Sequence, residues 1–99
     1  MKELVIPAKA QADPNAVEML RAWIADSGLH VSISPGIWQD SGHWGIALAD
    51  IIRHLADAYQ QTHGAAPSDT VARIFALLRA EFASPTDTPS GSFIERQSQ

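Results

Sequence analysis

No cysteine occurs anywhere in the chain. That excludes a disulfide framework, thiolate-held zinc or iron–sulfur sites, and a thiol nucleophile. Lysine and arginine together number only 7, and they form no cluster. A surface for nucleic acid or anionic membrane needs concentrated positive charge, so neither partner is expected. No apolar run approaches the ~20 residues of a membrane span. The opening MKELVIPAKAQADP lacks the apolar core of a secretory leader, and a cytoplasmic protein is expected. Also missing are a G-x-S-x-G elbow, a phosphate-binding P-loop, a G-x-G-x-x-G turn and an H-E-x-x-H helix. No enzyme template is met, which leaves catalysis undecided, and no cofactor is implied.

What remains is a chain of 99 residues, 45% hydrophobic and 18% charged, with a net charge of −4. This is a globular composition with enough length for one modest core. The organising stretch is Ser41 to His63, SGHWGIALADIIRHLADAYQQTH. At ~100° per residue, Trp44, Leu48, Ile51, Ile52, Leu55, Ala58 and Tyr59 share one arc, and His43, Asp50, His54, Asp57 and Gln61 the opposite one. Ser41 is the expected N-cap, with Asp40 near the positive end of the helix dipole and Gly64 as a left-handed stop. The apolar arc is expected to face the core.

Before this helix, Leu4-Val5-Ile6 reads as a short edge strand ended by Pro7. Asp13-Pro14 reads as a helix start, and Val17, Leu20, Trp23 and Ile24 follow at helical spacing, so a helix is predicted over about 14–27. After Gly28 the period changes to two: Leu29, Val31 and Ile33 alternate with His30, Ser32 and Ser34, a half-buried strand. Pro35-Gly36 suggests a type II turn with Gly36 at positive φ, and Ile37-Trp38 a second short strand folded back. Beyond Gly64, Ser68 is the expected cap of a further helix. Its stripe is Val71, Ile74, Phe75, Leu78 and Phe82, and Pro85 ends it. The short link implies antiparallel packing on the preceding helix.

The predicted order is therefore β-α-β(-β)-α-α. It describes an α+β domain over residues 1–85, with three helices packed on a small two- to three-stranded sheet. Residues 86–99, with only Phe93-Ile94 to bury, are expected to be irregular and partly flexible.

Several residues carry a resemblance. Trp44-Gly45, Leu48-Ala49-Asp50, Arg53-His54 and Ala58-Tyr59, with Asp13-Pro14, Trp23 and Ser84-Pro85-Thr86-Asp87, resemble a family of small bacterial proteins known as a domain of unknown function. The resemblance spans roughly residues 3–91. It implies a stand-alone cytoplasmic bacterial protein and transfers no activity.

Two constellations are candidate ligand-binding sites. His43, Asp50 and His54 fall along one line of the central helix, and Asp50 lies one turn from His54. That pair suits carboxylate–imidazole chemistry or two ligands of a divalent metal, with His30 as a distant third. The favoured reading of the pair is nevertheless an ordinary solvent-facing contact. At 1.5 Å per residue, His43 is about 10 Å from Asp50, too far to share one ion. The second constellation is Trp38, His43 and Trp44 around Gly42 and Gly45. It is an apolar wall beside a helix start, a piece of core, or a seam between subunits. Glu18, Arg21 and Asp26 read as solvated charges on helix faces, and Arg73 and Arg79 as cover for an apolar stripe.

The leading functional expectation is a non-enzymatic interaction or binding module. It would form a homodimer through sheet edges and exposed aromatics, with a further protein partner conceivable. The alternative is a small-ligand or metal-dependent activity centred on His43, Asp50 and His54 of the central helix, with His30 as a further candidate; Trp38, His43, Asp50 and His54 are the candidate ligand-binding residues.

Overall fold

The computed structural model describes residues 1–86. Its elements run α1 (Ala8–Ala12), β1 (Leu20–Ala25), β2 (Gly28–Ile33), a 3-10 turn over Pro35–Ile37, α2 (Gly42–His63) and α3 (Pro67–Ala83). Three helices and one two-stranded sheet make this an α+β fold, as expected. The described residues divide into two compact units, residues 1–37 and residues 38–86.

The first unit is where sequence pattern and structure part. No helix spans 14–27. The Asp13 carboxylate instead accepts the Asn15 N–H at 2.8 Å, and the Asp13 carbonyl accepts the Ala16 N–H at 3.1 Å. Asp-Pro-Asn thus closes a tight turn, the other conformation that Asp and Pro favour. Residues 20–25 then pair antiparallel with 28–33, from Leu20 opposite Ile33 to Ala25 opposite Gly28. The two-residue link, Asp26 at φ 49° and Ser27 at φ 63°, has the left-handed backbone of a type I′ turn. Leu20 and Ile24 fit either period and Trp23 only the helical one, and pairing with the strand just beyond the two-residue turn decided for the strand.

Leu4-Val5-Ile6 forms no strand. Among the described residues, no backbone–backbone bond engages the N–H of any of the three. Pro7 serves as the N-cap of the five-residue α1. There is no crossover helix between parallel strands, because the sheet is one hairpin. Pro35-Gly36-Ile37 winds into the 3-10 turn rather than a type II turn or a strand. Gly36 does not take a positive φ.

In the second unit, α2 matches its predicted span but not its predicted cap. Ser41 has helical backbone angles and makes no capping bond. Asp40 caps instead, its Oδ1 accepting the Gly42 N–H at 2.8 Å while its carbonyl accepts the His43 N–H at 3.0 Å. Gly64, at φ 72°, ends the helix in the left-handed conformation. Its N–H reaches Gln60 O, and the Ala65 N–H reaches Tyr59 O, the paired bonds of a glycine stop. Ser68 is likewise not the cap of α3. The N-cap is Ala66, which offers no side-chain bond; Pro67 opens the helix, and Asp69 lies in its first turn. Beyond α3, Glu81 Oε1 accepts both the N–H and the hydroxyl of Thr86, at 3.1 and 3.0 Å. The expectation for an irregular tail falls almost wholly outside the described residues.

The helices α2 and α3 pack on each other. Among the described residues, only Ala56 and Thr70 are buried. Trp44 and Ile52 are half-buried. The rest of the predicted core stripe is open: Leu48 is 48%, Leu55 42% and Tyr59 47% exposed. At ~100° per residue, Ala56 lies about a quarter turn round from Leu55. The hairpin therefore closes on a small-residue side and leaves its large apolar side chains flanking the contact.

Candidate functional site

Two predicted site residues on α2 do meet. His54 Nε2 stands 3.6 Å from Asp50 Oδ2, one helical turn away. The pair is largely in water, with the side chains 79% and 68% exposed. In that setting the contact is screened and weak, worth a few tenths of a kcal/mol. His43 is exposed on the first turn of α2. His30 belongs to the first unit, where its Nε2 lies 3.0 Å from Ala25 O across the hairpin. Among the described residues, no group of three or more His, Cys, Asp or Glu side chains is gathered as a metal ion would need.

The aromatic constellation is a packed cluster. Trp38 meets Trp44 edge to face, ring centres 5.4 Å apart and planes at 84°, an arrangement favoured by the ring quadrupoles. Trp38 and His43 lie 6.0 Å apart at 53°. The Asp40 cap holds this end of α2 together, because it sets the helix start between Trp38 and Trp44. Gly45 plays no part in close packing: a Cβ there would meet nothing within 4 Å. At the other end of α2, Tyr59 stacks on His63 at 5.2 Å. The Thr62 hydroxyl bridges Ala58 O and His63 Nδ1.

The first unit holds a feature that the sequence reading missed. An open cavity of about 700 Å³ lies between the N-terminal segment and β1, lined by Leu4, Val5, Ile6, Val17, Leu20 and Trp23 among others. Arg21, predicted as a solvated helix charge, is instead a strand residue lining this cavity. Its Nε donates to Glu18 Oε2 at 3.0 Å, its Nη1 to Glu3 Oε2 at 3.1 Å, and its guanidinium sits 5.9 Å from the Trp23 ring centre. The hydrogen bond and charge of Glu18, then Glu3, raise the guanidinium above its ordinary value. The signal available in the sequence was the i, i+2 placement of Arg21 and Trp23, which puts both on one face of a strand.

A two-helix hairpin, a two-stranded hairpin and apolar side chains left open on both define a small α+β module. The chain belongs to the family described as "Domain of unknown function (DUF5076)", whose model matches residues 3–86. It is similar to a solved structure from the photosynthetic bacterium Rhodopseudomonas palustrus CGA009 that carries the provisional name pyruvate dehydrogenase. The two are 29% identical with a TM-score of 0.72, over 93% of this chain and 94% of that one. No curated protein matches. Among the described residues, no helix is long and apolar enough to cross a membrane.

Proposed function

We propose that this protein is a non-enzymatic interaction module of the bacterial cytoplasm that works as a homodimer. The supporting observation is the open apolar surface of α2 and α3. Leu48, Ile51, Leu55, Tyr59, Phe75, Leu78 and Phe82 all remain substantially exposed, against two small buried residues. The open portions of these side chains together come to several hundred Å², on the order of the ~800 Å² per partner of a standard interface. A second copy is the occupant that matches such a surface to itself in a closed, two-fold contact. Its source in a bacterium follows the organism of the similar structure. The provisional name of that structure is not carried over, because no geometry here supports the activity.

Light scattering across a concentration series tests the proposal. A dimer is expected for the full chain, and Leu55→Asp should give a monomer that keeps its helical circular dichroism. A wild-type chain that stays monomeric at high concentration would overturn it. The contact of Asp50 with His54 favours a second reading, a divalent metal or small ligand held at that pair, with Trp38 and His43 as a separate aromatic contact at the start of the helix. Under that reading, one equivalent of zinc would shift the ring resonances of His54 and leave those of His43 unmoved.

A further inference from the structure

We infer that the cavity between the N-terminal segment and β1 is a strand-exchange site, filled by residues Leu4–Ile6 of a second copy. The inference rests on the homodimer proposed above and specifies where in the first unit the copies join.

Three observations carry it. The first is hydrogen-bond accounting. The Ser34 N–H donates to Met19 O, and bonded pairs alternate along an antiparallel ladder. Arg21/Ser32, Trp23/His30 and Ala25/Gly28 are then the bonded pairs of the observed register. The N–H and C=O groups of Leu20, Ala22 and Ile24 consequently face away from β2, an open edge. On the other side of the cavity, the N–H groups of Leu4, Val5 and Ile6 have no backbone partner among the described residues. Two unpaired edges thus border one apolar cavity, and an extended chain laid between them completes both.

The second observation concerns the segment itself. Leu4-Val5-Ile6 has the composition of a strand, yet Leu4 is 95% and Val5 89% exposed. Glu3 is tied to Arg21 of β1, but the cavity separates the apolar run from the strand it would otherwise join. It is a strand former without a ladder.

The third is closure. If each segment enters the other copy's cavity, the strand order across the pair becomes β2, β1, incoming segment, resident segment, then the partner's β1 and β2. The two-fold axis falls between the two segments, each is paired on both sides, and the contact is complete with two copies.

Amide hydrogen exchange on the full chain tests the site, read at concentrations above and below dimer dissociation. The Leu20 and Ala22 amides should exchange at least tenfold more slowly in the dimer than on dilution. Val5→Pro removes a donor from the exposed run; it should abolish that protection and weaken dimerisation at least tenfold. A dimer whose Leu20 and Ala22 amides exchange freely, or that is indifferent to Val5→Pro, would overturn the exchange site while leaving the homodimer standing. Protection that survives dilution would show the chain's own segment closing on β1, and would also overturn it. A monomeric wild type would remove the homodimer itself.

Discussion

The Asp40 carboxylate caps α2 by accepting the Gly42 N–H at 2.8 Å, while the neighbouring Ser41 hydroxyl caps nothing. The consequence is asymmetric. Asp40→Ala should destabilise the fold by about 0.5–2 kcal/mol, the usual cost of losing a cap, whereas Ser41→Ala should stay within about 0.5 kcal/mol of the wild type. Chemical denaturation of the three chains separates the cases. Gly42 shares in the arrangement, because a Cβ there would come within 3.2 Å of Asp40 Oδ1. Gly42→Ala should therefore gain less than helix propensity alone would give.

Gly45 offers the opposite case. It lies within α2 without a positive φ, and an added Cβ meets open space. Gly45→Ala should stabilise the chain by up to about 1 kcal/mol, since alanine restricts the unfolded backbone and favours the helix. A rise of several degrees in the thermal midpoint is the expected result. A fall would mean that the position touches a partner.

The hairpin turn holds two non-glycine residues at positive φ, Asp26 and Ser27. A side chain in the left-handed region is disfavoured, and glycine at the second loop position is the preferred solution. Ser27→Gly should stabilise the hairpin by about 0.5–1 kcal/mol. Ser27→Val, branched at Cβ, should destabilise it. Equilibrium unfolding monitored by Trp23 fluorescence reads both.

The Asp50–His54 pair is exposed, so its removal should matter little. Asp50→Asn should change stability by less than about 0.5 kcal/mol, with no change in oligomeric state. A loss of several kcal/mol would place the pair inside an interface and move the candidate site back to this face of α2.

Much of the second unit was legible because its signals are local. The long period-3.6 run and Gly64 bounded α2, and Pro85 lies just past the last helical residue of α3, Ala83. The cap was misplaced by one residue because Asp40 and Ser41 are both good acceptors, and only the backbone angles choose between them. In the first unit, Asp13-Pro14 belongs equally to a helix start and a tight turn, and Leu20 and Ile24 to either period, while the spacing of Trp23 from them is helical only. The Asp50–His54 contact followed directly from spacing. The Arg21 cluster did not, since Glu3 reaches it across 18 residues of chain.

Composition and spacing alone thus determined the α+β class, the span of the long helix, its glycine stop, and the absence of thiol chemistry. These depend on groups within a few residues of one another. Tertiary structure decided which side of α2 is covered, that residues 20–25 form a strand, and that Leu4–Ile6 stand unpaired beside a cavity. Each of those turns on a partner distant in sequence, and the competing local conformations differ by less free energy than that partner contributes.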